Sequence, residues 1–288
     1  MRHRRGHRTA HRPRRAVGVG CAAAALTLAA TAGCVGPGAT ADSSASARGD
    51  ATHVVENGLP FGIPGDWHLV FDDEFEGTDL DLAKWSLGNP DVAYPGRVTK
   101  PVNDDELDCY DADQVAVHDG ALHITAVERE QTCGGRTLPY SSGMVNTRST
   151  FSYAFGAVEA RINLPAASPG VIANWPAFWT VGANWPTGGE NDVAEGLHGQ
   201  LCSYFNSPSG AVGHCTDGDF TGWHTLGAEW QPGRVDYYRD GVLAATITEG
   251  VTSQPHWLMI DNAVQPKIGG PTVVPADLQV EYVRVWQH

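Results

Sequence analysis

An all-β sandwich of two antiparallel sheets is the fold this sequence predicts, and three observations predict it. Segments of alternating polarity recur along the chain, Asp-Gly turn signals separate several of them, and long amphipathic helical patterns are scarce. From Leu59 to His288 no linker-like stretch interrupts the pattern, so residues 59–288 read as one large domain.

The segments follow in order. Gln114–Val117 and Ala121–Val127 flank His118-Asp119-Gly120, a tight hairpin signal because Asp and Gly tolerate positive φ. Gly156–Ile162 alternates small and apolar residues with charged ones. Arg234–Arg239 ends on Arg239-Asp240-Gly241, a second hairpin signal, and Leu278–Trp286 is the last strand. Between them lies Trp175-Pro176-Ala177-Phe178-Trp179. Strand alternation puts Trp175, Ala177 and Trp179 on one face and Phe178 on the other, which assigns Phe178 to the core.

Three carboxylates then fall within six residues: Glu190, Asp192 and Glu195, between Gly188-Gly189 and Gly196. On a helix, positions five apart lie far round the cylinder, and the glycines oppose a helix there. On a strand, Glu190 and Asp192 share a face while Glu195 points away. One extra residue, a β-bulge between Asp192 and Glu195, returns all three to one face. Crowded carboxylates cannot all ionise freely, so one is expected to keep its proton near neutral pH and serve as an acid. Glycoside hydrolysis with retention needs that division, with a nucleophile and an acid/base roughly 5 Å apart. An acidic triplet in an acidic protein is more often solvated surface, so its surroundings decide. Here Trp175, Trp179, Trp185, Tyr204 and Phe205 cluster around it, and indole or phenol faces suit the C–H faces of sugar rings.

The first 34 residues read as an export signal. Residues 1–15 carry seven arginines and no acid, and Ala16–Ala32 is a short apolar run broken by Gly18 and Gly20, which argues against a spanning helix. Thr31-Ala32-Gly33-Cys34 resembles a bacterial lipobox with Cys34 as the lipidated residue, although Thr31 departs from the usual aliphatic one. Arg14-Arg15 also leaves twin-arginine export open. Residues 35–58, rich in Ala, Ser, Gly and Thr, read as a flexible spacer. Without residues 1–34 the chain keeps 12 basic against 33 acidic residues, a net charge of −21, which excludes nucleic acid and polyanions and favours a neutral polysaccharide. Four cysteines remain beyond Cys34. Of the three pairings open to them, sequence proximity favours Cys109 with Cys133 and Cys202 with Cys215. Beyond the export signal, whose His3, His7 and His11 are spaced by four, no Cys-x-x-Cys or His-x-x-x-His spacing supports a zinc site.

Several runs, in order, resemble glycoside hydrolase family 16. They are Val70–Phe75, Phe151–Pro165, Trp175–Trp179, Gly189–Gly196, Trp223–Trp230 and Val280–Trp286, and the likeness covers nearly all of residues 66–288. The resemblance implies a concanavalin-like β-jelly roll whose concave sheet forms the substrate cleft. It implies Glu190 as nucleophile, Asp192 as helper and Glu195 as general acid/base. The six-residue form of the motif is similar to that of laminarinases, so an endo-β-1,3-glucanase acting on a laminarin-like glucan is expected. Trp175 and Trp179 match tryptophans near the cleft's donor subsites, and with Tyr204 and Asn206 they are assigned to substrate. The resemblance requires no cofactor for catalysis. It offers Glu74, the backbone of Gly120 and Glu281 as ligands of one structural calcium, although the last is usually Asp.

Two departures bear on the sugar. The strand after the triplet often carries a histidine near the reaction centre, where this chain has Tyr204 and Asn206, and a segment often like L-N-L-A-V-G-G is here Ile260–Pro266. His198, His214 and His224 read as framework or surface. The competing readings are a member acting on galactan or exopolysaccharide, a transglycosylating enzyme, and a non-catalytic glycan-binding jelly roll, which would gain little from crowded acids. The expected state is a monomer, extracellular or held at the outer face of the membrane by the lipid on Cys34.

Overall fold

A computed structural model describes residues 58–91 and 97–288. The expected signal peptide, the lipobox at Cys34 and the spacer up to residue 57 lie outside the described residues. The chain enters with β1 (His68–Asp73), β2 (Ser86–Leu87), β3 (Val98–Thr99) and β4 (Asp108–Asp111). A 3-10 turn over Ala112–Gln114 leads into β5 (Val115–His118), β6 (Ala121–Cys133), β7 (Arg136–Ser142) and β8 (Met144–Asn146). Next come β9 (Gly156–Leu164), the ribbon of β10 (Ala166–Ser168) and β11 (Val171–Ile172), and β12 (Trp175–Gly182). Then β13 (Glu190–Leu197) is followed by β14 (Gln200–Ser207) and β15 (Gly210–Thr216). The chain ends with β16 (Gly222–Gln231), β17 (Arg234–Arg239), β18 (Val242–Ile247), β19 (His256–Ala263) and β20 (Ala276–Gln287).

Both Asp-Gly signals make the turns expected of them. Asp119 and Gly120 have φ of 50° and 75°, and His118 pairs with Ala121 across the turn. Asp240 and Gly241 have φ of 48° and 75°, and Arg239 pairs with Val242. Two successive positive φ values match the right-handed twist of the strands they join.

Two large sheets result. One runs β18-β17-β16-β9-β20-β6-β7-β4-β3, with β1 and β5 added beside β20 and β6; the other runs β15-β14-β13-β12-β19-β8-β2. Alternation along each strand sends one set of side chains between the sheets. Leu122, Ile124, Val158, Ile162, Leu226, Trp230 and Val283 come from the first sheet, and Phe178, Val193, Leu201, Phe205, Leu258 and Ile260 from the second. Each large side chain buried there contributes about 1.5–3 kcal/mol. Phe178 is 1% exposed in this core, as its position in the alternation predicts.

The outer face of the second sheet is where alternation leaves side chains free to line a cleft. Two disulfides brace the fold, Cys109–Cys133 and Cys202–Cys215. The second ties edge strand β15 to β14, whose other neighbour is β13.

Candidate active site

The triplet lies on β13, in the middle of the second sheet. Against β14, Asp192 faces Tyr204 and Glu195 faces Cys202, so three steps on β13 match two on β14. Against β12, Asp192 faces Trp179 and Ala194 faces Phe178, which places the extra residue at Val193. Val193 and Ala194 both turn into the core, at 0% and 2% exposure, and Glu195 returns to the face that carries Glu190 and Asp192. The bulge is therefore held by apolar burial on one side of the sheet while it gathers acids on the other.

These acids line a cleft of about 520 Å³, together with Trp175, Trp179 and Trp257. Asn206, opposite Glu190 on β14, donates through Nδ2 to Glu190 Oε1 and Asp192 Oδ2, both at 2.8 Å. Trp175 donates through Nε1 to Glu195 Oε2 at 3.0 Å. Burial pushes Glu190 up to about 7, with repulsion from Glu195 adding to it and the Asn206 hydrogen bond opposing it. Burial pushes Glu195 to about 7 as well, against the Trp175 bond. Asp192 stands well above the usual carboxylate range, through burial first and then repulsion from Glu190, Glu195 and Asp261. Near neutral pH the group titrates as a coupled set that holds at least one proton. Burial alone does not tell nucleophile from acid, since both glutamates rise alike. Nor do the donors, since the Asn206 bond at Glu190 and the Trp175 bond at Glu195 both favour the anion.

Of the residues assigned to substrate, all four stand at the cleft. Trp179 donates to Asp261 Oδ2 at 2.8 Å, so both tryptophans hold carboxylates by their N–H groups as well as presenting ring faces. The ring of Tyr204 lies against Gly213, where a Cβ would meet it at 2.1 Å, so only glycine fits at that position of β15.

Several cleft residues were not visible as a site in the sequence. Asp261 sits two strands from Glu195 on the same rung, since Ala177 pairs with both. Glu106 also lines the cleft, accepts from Tyr110 Oη at 2.7 Å and from Asn103 N at 2.7 Å, and is raised by burial. Arg148 stacks on Trp257 with its guanidinium carbon 5.0 Å from the ring centroid. Trp185, already among the aromatics that flank the triplet in the sequence, is 62% exposed and stands at the rim on the loop between β12 and β13. The one signal for Asp261 was the departure in the Ile260–Pro266 segment.

His198, His214 and His224 do not line the cleft; His224 instead pairs with Asp240 at 2.8 Å. His256 is buried and held near a pKa of about 4 by that burial, so it is neutral. Its Nε2 donates to Gly188 O at 3.0 Å and its Nδ1 accepts from Thr180 Oγ1 at 2.9 Å, which anchors the loop entering β13.

The residues offered for calcium do not fit one. Arg284 engages Glu74 with two 2.7 Å bonds, and Arg161 Nε donates to Glu281 Oε2 at 2.6 Å. Each carboxylate is thus neutralised by a guanidinium that the ion would have to displace. Gly120 is the second residue of the β5–β6 turn.

Comparison with known proteins gives the same picture. The family model for "Beta-glucan synthesis-associated protein SKN1/KRE6/Sbg1" matches residues 63–211. A glucan endo-1,3-beta-glucosidase A1 of Niallia circulans is 28% identical over 275 residues, covering 80% of this chain; the chain spans 40% of that relative's length. The endo-beta-1,3-glucanase structure from Pyrococcus furiosus is 28% identical, with a TM-score of 0.63 over 77% of this chain and 94% of that one. SCLam, a non-specific endo-beta-1,3(4)-glucanase from family GH16, is 25% identical, with a TM-score of 0.67 over 80% and 94%. By the match of its family model, its relatives and its jelly-roll sandwich, the chain belongs to glycoside hydrolase family 16, in the group that the SKN1/KRE6/Sbg1 model describes.

Proposed function

We propose that the chain is a retaining endo-glycosidase that hydrolyses β-1,3-glucosidic linkages of a laminarin-like β-glucan. The observation that carries this reading is the bulge that brings Glu190, Asp192 and Glu195 to one face of the cleft, the first two bridged by Asn206 and the third held by Trp175. Glucanases acting on β-1,3 linkages among the relatives and structural neighbours support the linkage.

In the first step a Glu190 carboxylate oxygen bonds to the anomeric carbon while Glu195 donates its proton to the glycosidic oxygen. The anomeric C–O bond breaks, the aglycone leaves as an alcohol, and the sugar remains as an ester on Glu190. Glu195, now an anion, takes a proton from water, whose oxygen attacks the same carbon. The ester bond breaks, Glu190 is restored, and two inversions give net retention. Asp192 is the helper that keeps the proton inventory of the pair. Every step uses side chains of the cleft, with Trp175, Trp179, Tyr204 and Asn206 around the sugar.

The neutral glucan suits an acidic chain, and the amino-terminal features support export, with a lipid on Cys34 tethering a monomer to the outer face of the membrane. Incubation with laminarin, lichenan, agarose and galactan, scored by new reducing ends and by NMR of the first-formed anomer, tests the activity. Oligosaccharides of retained configuration from laminarin are expected. The absence of new ends from all four glycans sinks the reading. Labelling cells with a fatty acid, in native and Cys34→Ala chains, tests the anchor: loss of label with the cysteine is the expected result.

A further inference from the structure

Asn206 entered as a residue for the sugar, yet its amide nitrogen is already engaged on both sides. One Nδ2 sits 2.8 Å from Glu190 Oε1 and 2.8 Å from Asp192 Oδ2, which uses both of its N–H bonds. The reverse orientation would put the amide oxygen against two carboxylates and would demand a proton on each. The strand register fixes this bridge, because Asn206 is the rung partner of Glu190 and Tyr204 is that of Asp192. The third acid, Glu195, takes its hydrogen bond from Trp175 and none from Asn206.

We propose that Asn206 is the positioning residue of the reaction centre, an amide that holds Glu190 and Asp192 as acceptors and so supports Glu190 as the nucleophilic carboxylate. This rests on the reading of the triplet as a glycosidase centre. An amide does not titrate, so its donation is constant across the pH range in which the carboxylates exchange protons. A histidine at this place would donate from both nitrogens only when charged and would add an ionisation of its own.

Two variants of the full chain separate donation from shape. Asn206→Ala removes the donor, and Asn206→Asp keeps the shape while turning the donor into an acceptor. For Asn206→Ala, kcat on laminarin should fall about 100-fold with KM nearly unchanged, the size of effect seen when one donor to a reacting group is lost. The acid limb of kcat/KM should move to higher pH, because Glu190 loses a bond that favours its anion. Asn206→Asp should be less active still. A raised KM with kcat and the pH limbs unchanged would make Asn206 a substrate ligand and overturn the proposal.

A second measurement needs no turnover. Carbon-13 titration of labelled glutamate carboxyls, with Glu190 assigned through Glu190→Gln, should show Glu190 titrating higher in Asn206→Ala than in the native chain. An unchanged titration overturns the positioning role. If the native chain cleaves no glucan, the glycosidase reading fails, while this titration still decides what Asn206 does to Glu190.

Discussion

Trp175 and Glu195 are joined by a 3.0 Å hydrogen bond from the indole Nε1 to Oε2. The tryptophan therefore acts directly on the carboxyl proposed as the acid/base, besides the stacking on sugar proposed for its ring. Its bond favours the ionised carboxylate, opposing the burial that lifts Glu195 to about 7. Trp175→Phe keeps an aromatic ring and deletes the N–H. Glu195 should then hold its proton to higher pH, and the basic limb of kcat/KM should move upward. A net bond of about 1 kcal/mol corresponds to roughly 0.7 pH unit. A basic limb that stays in place, with only KM raised, would return Trp175 to a stacking role alone.

The same carboxylates set a pH dependence of stability. Glu190 rises from an ordinary value of 4.5 to about 7 on folding, chiefly through burial. Between those values the folded chain binds more protons than the unfolded one, so this stability is full below about pH 4.5 and is lost as pH rises through 7. Glu190→Gln removes the penalty of an ionised buried acid. It should abolish turnover and yet raise stability at pH 8 by on the order of 2 kcal/mol, about 5 °C in Tm for a chain of this size, with no gain at pH 4. Thermal melts of both chains at the two pH values check this; equal Tm at pH 8 contradicts it.

Asn206 and Glu195 show why the sequence yields the fold and the triplet more readily than the rest of the cleft. The hairpins at Asp119-Gly120 and Asp240-Gly241, the core side of Phe178 and the bulge after Asp192 all follow from rules spanning a few residues. The bulge in particular is forced by an odd spacing set against a period of two. The remaining acids of the cleft come from far along the chain. Trp179 and Asp261 are 82 residues apart, and Glu106 reaches the cleft from the connection between β3 and β4. No local pattern carries such pairings, which depend on the strand order β13-β12-β19. The calcium ligands fail for a related reason: the guanidinium partners of Glu74 and Glu281 lie 210 and 120 residues away along the chain.

The Cys202–Cys215 bridge joins two residues that face each other across β14 and β15, and Cys202 is also the rung partner of Glu195. β15 is an edge strand with four of its seven residues exposed, so hydrogen bonds to β14 and this bridge hold it. Replacing both cysteines by serine should cost about 3 kcal/mol, the loop-closure value for a crosslink spanning this many residues. Laminarin turnover should fall with it, because β14 carries Tyr204 and Asn206. Melting of the native and double-serine chains measures the first effect, since reductant would open Cys109–Cys133 as well. A double-serine chain that melts at the native Tm contradicts it.

Asp261 brings a fourth acid to the face of the triplet, and its charge is felt there. It is buried and stands well above the usual carboxylate range, through burial first and then repulsion from Glu106, while the Trp179 bond lowers it. It in turn adds to the rise of Asp192. Asp261→Asn preserves an acceptor for Trp179 Nε1 and removes the charge. Any ionised fraction of Asp261 raises the cost of ionising the triplet, so the variant should lose protons from the triplet at lower pH. Both limbs of the kcat/KM profile should shift downward, by less than the roughly 0.7 unit expected of Trp175→Phe, because Asp261 acts across two strand spacings rather than by contact. Stability at pH 8 should rise, since the neutral amide needs no proton to be buried. A profile identical to that of the native chain would mean that Asp261 keeps its proton throughout the active range and takes part only as the partner of Trp179.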